Sequence, residues 1–126
     1  MSMRTPLGRV RGLGSAHDGT HHFWQKRVTS VALVPLTLIV VGVVIAIPGR
    51  SHADAVALLG HPLVAIMLLA TLLAGIHHMH LGMQVVIEDY IHTEPTKTAL
   101  VLANTFFCAL MAIACVWAVV KLSFGI

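Results

Sequence analysis

Pro62-Leu63-Val64-Ala65-Ile66-Met67-Leu68-Leu69-Ala70-Thr71-Leu72-Leu73-Ala74-Gly75-Ile76-His77-His78-Met79-His80-Leu81-Gly82-Met83-Gln84-Val85-Val86-Ile87 is the stretch that decides the fold. Apart from its histidines it contains no ionisable side chain. About 20 apolar residues cross a hydrocarbon layer about 30 Å thick. In lipid the backbone must satisfy its own hydrogen bonds, which a helix does within one segment. The stretch is therefore predicted to be a transmembrane helix. Working outward, two further apolar runs have the same character, one from about Val28 to Ile47, closed by Pro48-Gly49, and one from about Lys97 to Leu122. The predicted fold is all-α, an integral membrane protein with an N-terminal segment over 1–27 and a three-helix transmembrane domain over 28–126, its helices at about 28–47, 62–87 and 97–122. Pro35 is expected to bend the first helix, which a membrane tolerates.

Composition agrees. The chain has 126 residues, one domain's worth, of which 57% are hydrophobic and 10% charged. Soluble domains carry about 25% charged residues, so there is too little polar surface here to cover a water-soluble globule. The formal net charge is +3, but no basic patch interleaved with aromatics points to nucleic acid. The cations report topology instead. Arg4, Arg9, Arg11, Lys26 and Arg27 precede the first helix, and Lys97 ends the loop before the third, on the same side of the membrane. Only Arg50 and Lys121 fall on the other side. This bias predicts an N-terminus on the cytoplasmic side of a bacterial inner membrane, or the matrix side of a mitochondrial one. Met1 to Gly19 lacks the apolar core of a signal peptide, so insertion is expected to rely on the first helix. Cys108 and Cys115 lie on one predicted helix, about 10 Å apart along its axis, too far for a disulfide with each other. The polar segment Ser15–Arg27, with Phe23 and Trp24, is expected to be ordered at the membrane interface.

Chemistry concentrates in the second helix. His78 lies about ten residues from its cytoplasmic end, roughly 15 Å or half the bilayer depth. An ionisable group at that depth is costly and reads as functional. Zinc wants about four ligands, and the other two helices offer neither a histidine nor a carboxylate at this level. Haem b needs one or two axial histidines. Two such ligands approach the iron from opposite faces, which neighbours on one helix cannot do, so a second ligand has to come from another chain. Gly82 is one turn from His78 on the same face, where it leaves room for a flat macrocycle or for ordinary helix packing. His77 and His80 point about 100° and 200° away from His78, and each is expected to hydrogen-bond a neighbouring helix.

Asp89 follows His78 by eleven residues, a return to nearly the same face. A carboxylate at a helix C-terminus opposes the helix dipole, and Arg27, at the end of the first helix on the same side, is the expected compensation. Tyr90 reads either as an interfacial anchor or as a hydrogen-bond donor to a quinone carbonyl, with Asp89 on the proton path. Arg27 reads either as a snorkelling cation or as the partner of a haem propionate, with His21 and His22 close enough in sequence to join it.

His78-x-x-x-Gly82 followed by Asp89-Tyr90 resembles the signature of the hydrophobic membrane anchor subunits of succinate dehydrogenase, respiratory complex II. Gly14-Ser15-Ala16-x-x-Gly19-Thr20-x-His22-x-Trp24-x-x-Arg27-x-Thr29 resembles the same family in its alphaproteobacterial and mitochondrial form. The two motifs span roughly residues 12–36 and 76–90, and the third helix matches only as an apolar span. Relatives commonly carry Gln where Lys26 stands here.

The resemblance implies a helical bundle shared with a cytochrome b anchor subunit, with haem b between the two and one axial histidine from each. His78 holds the ligand position. Gly82, His22 and Arg27 lie around the cofactor. Tyr90, with Asp89 and Arg27, lies at the ubiquinone site. A flavoprotein with FAD and an iron–sulfur subunit complete the complex and pass electrons from succinate to ubiquinone, and this chain alone is expected to have no activity. A fumarate reductase anchor running in reverse, a purely structural anchor with a vestigial haem site, and a small transporter or metal-handling protein using His77–His80 are the other readings.

Overall fold

The computed structural model describes residues 5–12 and 18–125, and contains five helices, α1 (Pro6–Val10), α2 (Asp18–Ile45), α3 (His52–Gly60), α4 (Pro62–Tyr90) and α5 (Glu94–Phe124). Arg4 and the Gly14-Ser15-Ala16 part of the N-terminal motif lie outside the described residues. Three helices, α2, α4 and α5, are long and apolar enough to cross a membrane, as predicted.

These three do not close into a triangle. α4 is central, with α2 packed on one side and α5 on the other, and α2 and α5 make no packing contact among the described residues. Leu33 meets Gly75 while Thr29 meets His78, so α2 and α4 run antiparallel. α5 pairs with α4 through Thr105 and His80. Such an open layer buries little. The buried apolar side chains, Ala65, Leu81, Ile87, Cys108 and Val119, all belong to α4 and α5. Large apolar side chains such as Val31, Leu38, Ile45, Leu110 and Ile113 are exposed. In water that exposure would be prohibitive. It suits lipid or further membrane helices.

α2 begins ten residues before its apolar run, at Asp18. The sequence predicted an interfacial segment up to Arg27 and a helix from Val28. Instead His21 to Arg27 form the first turns of one continuous helix, which also runs on through Pro35. Once the apolar part is helical, extension costs little, because each added residue gains a hydrogen bond without a new nucleus.

A second departure is α3, between the first two spans. Its N-cap is Ser51, whose Oγ accepts from the Asp54 backbone N–H at 3.2 Å and donates to Asp54 Oδ2 at 2.7 Å. Ser51-x-x-Asp54 before Ala55-Val56-Ala57-Leu58-Leu59 is a capping signature in the sequence itself. α3 closes on α5 at Gly60, where an added Cβ would stand 2.7 Å from the Leu122 carbonyl oxygen. Gly60→Ala is therefore expected to push the two backbones apart and destabilise the bundle by about 1–3 kcal/mol, the usual cost of overpacking. Thermal unfolding of the purified assembly measures this. A midpoint equal to that of the unmodified protein would show that the contact yields freely.

Cys108 and Cys115 are unpaired, with Cys108 buried in α5 beside Asn104.

Candidate functional site

The three histidines of α4 diverge into three environments. His78 turns to α2, where its Nδ1 lies 2.9 Å from Thr29 Oγ1. His80 turns to α5, its Nε2 3.2 Å from Thr105 Oγ1, while its backbone carbonyl accepts from Asn104 Nδ2 at 3.1 Å. His77 is exposed and, among the described residues, has no hydrogen-bond partner, contrary to expectation. Among the described residues no three His, Cys, Asp or Glu side chains are grouped to hold a metal ion. A metal-handling cluster at His77–His80 finds no support in this geometry.

The Thr29 hydroxyl has one proton, and the carbonyls of Gln25 and Lys26 stand 2.9 and 3.0 Å away to receive it. With that proton on a carbonyl, the oxygen accepts from Nδ1–H of His78. This tautomer leaves Nε2, which has no protein partner among the described residues, as the nitrogen available to a ligand from outside the chain. Gly82, one turn on, fits as well, because beyond its own chain neighbours and helix backbone no described atom lies within 4 Å of the position a Cβ would take. Packing within the chain does not require glycine there, and the space is open to a group from outside. His22 shares the Thr29 face of α2, two turns away. Its Nε2 is buried and has no hydrogen-bond partner among the described residues, and a buried polar atom of this kind calls for one. These residues fit a haem.

Antiparallel pairing of Thr29 with His78 sets Arg27 level with His80 and Lys26 within a turn of the histidine's level.

The same register overturns the expected pairing of Arg27 with Asp89. The two stand about 14 Å apart along the helix axes. Arg27 also faces away from α4, about 200° round α2 from Thr29, and its guanidinium lies 4.5 Å over the Phe23 ring. Among the described residues the one ion pair is Lys97–Glu94, at 3.3 Å. Asp89 is exposed, on the His78 face of α4 but beyond reach of Arg27. Its neighbour Glu88 accepts from Gln84 Nε2 at 2.8 Å.

Tyr90 ends α4 with 76% of its surface exposed. It forms one end of a groove of about 480 Å³ between α4 and α5, walled by Met79, Met83, Leu100 and Phe107 among others. Tyr90 and His78 are thus about 18 Å apart along α4 and open to different sides.

Sequence reading gave Thr29, Asn104 and Thr105 no role. The available signal was polarity inside apolar runs, since a hydroxyl or amide in a membrane helix usually bonds a neighbouring helix.

The fold is that of a multi-pass α-helical membrane protein with three long apolar spans. The family of succinate dehydrogenase/fumarate reductase transmembrane subunits matches residues 1–123. Succinate dehydrogenase hydrophobic membrane anchor subunits are similar to it over nearly their whole length. That of Paracoccus denitrificans is 34% identical over 96% of this chain and 93% of its own. That of Rickettsia bellii is 32% identical over 92% and 93%, and that of Rickettsia conorii 28% over 88% and 89%. No solved structure matches the chain. The chain belongs to the succinate dehydrogenase/fumarate reductase transmembrane subunit family, as a membrane anchor subunit of succinate dehydrogenase.

Proposed function

We propose that this subunit holds haem b jointly with a cytochrome b anchor subunit and forms part of the site where ubiquinone is reduced. The observation that carries this reading is the Thr29–His78 hydrogen bond, which occupies Nδ1 and leaves Nε2 of the imidazole without a partner among the described residues. His78 would hold the haem iron from this chain, and a second ligand would come from the partner anchor, because His77 and His80 face elsewhere. Gly82 leaves the face beside His78 open. His22 offers a nitrogen to a carboxylate at the polar end of the cofactor. Arg27, held by Phe23 on the outer face of α2, supplies positive charge to a propionate or quinone bound on the side shared with the partners. The haem supplies one-electron chemistry at the boundary between the two anchors.

At the C-terminal end of α4 the Tyr90 hydroxyl donates a hydrogen bond to a quinone carbonyl, and Asp89 stands beside it as a proton carrier. The groove walled by Met79, Met83, Leu100 and Phe107 is apolar enough for the hydrocarbon part of such a ligand. The electrons arrive from succinate through FAD in a flavoprotein subunit and the clusters of an iron–sulfur subunit. The excess of cations before α2 and at Lys97 orients the N-terminus to the cytoplasm or matrix. Residues 1–27 then serve as the segment on that side and 28–126 as the embedded domain.

The test is a reduced-minus-oxidised spectrum of the complex purified after co-expression with its three partner subunits. A b-type signal stoichiometric with this chain is expected. A complex that reduces quinone without one would remove the haem from the proposal and leave a purely structural anchor.

A further inference from the structure

We propose that Thr29 is a positioning residue for the haem, fixing the tautomer of His78 and strengthening it as a ligand. The inference rests on the reading of His78 as the axial ligand and adds to it. Two features of the geometry make the hydroxyl more than a chance neighbour. First, the Gln25 and Lys26 carbonyls stand 2.9 and 3.0 Å from the hydroxyl, in place to take its one proton, which leaves the oxygen to accept from the imidazole. Second, the Nδ1–Oγ1 distance of 2.9 Å joins different helices, so the bond fixes the ring against α2 as well as its protonation. An acceptor on the distal nitrogen of a ligating histidine orients the ring and raises its basicity. A more basic ligand favours the ferric over the ferrous state, and Thr29 therefore holds the midpoint potential down.

The experiment compares Thr29→Val, which keeps the shape and removes the hydroxyl, with Thr29→Ser, which keeps the hydroxyl. Both are made in the whole complex, and read by haem content, redox titration and the low-spin ferric EPR signal. In Thr29→Val the ferric-to-ferrous affinity ratio is expected to fall three- to tenfold. At 59 mV per tenfold for one electron this raises the midpoint by about 30–60 mV. The EPR signal should move with it, and Thr29→Ser should restore both. Loss of haem from the valine variant with retention in the serine variant also supports the proposal. An unchanged potential and EPR signal in Thr29→Val overturns it, and so does an equal change or loss in both variants, which would mark a packing effect. Absence of haem from the unmodified complex overturns the ligand reading itself, an outcome distinct from the others.

Discussion

A His78→Ala complex is expected to assemble with all its subunits and to lose its b-type haem. The reasoning is geometric. His78 is the one histidine of α4 that faces the α2 seam, with Nε2 free and Gly82 open beside it. Its neighbours cannot stand in. His80 is committed to α5 by Thr105 and by the Asn104 amide on its carbonyl. His77 leaves the helix about 100° away. Loss of this chain's ligand would leave the cofactor held by the partner chain alone, so haem per complex should fall at least about tenfold, the lower end of what loss of even an outer-shell partner costs a metal site. His77→Ala and His80→Ala provide the contrast, and both should keep the cofactor. Haem extracted from purified complexes and quantified by absorbance decides the matter. Full haem content in His78→Ala, or loss confined to His80→Ala, would sink the assignment. Succinate oxidation with an artificial acceptor should survive in all three variants, since that chemistry lies in the soluble subunits.

The three spans were legible in the sequence because lipid leaves the backbone few options. Apolar runs of sufficient length between polar breaks admit only helices. The ends were less legible. The start of α2 at Asp18 depends on helix propagation through polar residues, which hydropathy does not register. α3 announced itself only through Ser51 and Asp54. His78, Asp89 and Tyr90 could be singled out because ionisable groups stand out against an apolar span. Their mutual placement could not. Helical periodicity relates residues along one helix, but it says nothing about register between helices. Arg27 and Asp89 looked adjacent because both lay at cytoplasmic ends. The Thr29–His78 pair leaves Arg27 about 14 Å short of Asp89, because α2 runs on to Asp18, which this register sets level with Asp89. Thr29 stands in the N-terminal motif, but its meeting with His78 is a property of packing that the motif does not carry.

Tyr90→Phe is expected to lower quinone reduction while leaving the complex, its haem and its artificial-acceptor activity intact. Tyr90 stands at the end of α4, largely exposed, and its ring forms one end of the α4–α5 groove. The hydroxyl has no hydrogen-bond partner among the described residues, so within this chain it holds nothing in place. Phenylalanine preserves the ring, the groove and the helix end, and deletes one donor. A net hydrogen bond is worth about 0.5–1.5 kcal/mol, which translates to a roughly two- to tenfold fall in kcat/KM for ubiquinone. The loss belongs in the quinone assay alone, because succinate oxidation uses groups on other subunits. Met83→Ala, on the apolar wall of the same groove, should instead raise KM with little change in kcat, as expected of a side chain that binds substrate and transition state alike. The paired assays separate the possibilities. Equal loss with quinone and with the artificial acceptor in Tyr90→Phe would point to faulty assembly. No loss in either would reduce Tyr90 to an interfacial anchor, an aromatic body at the membrane boundary whose hydroxyl faces water.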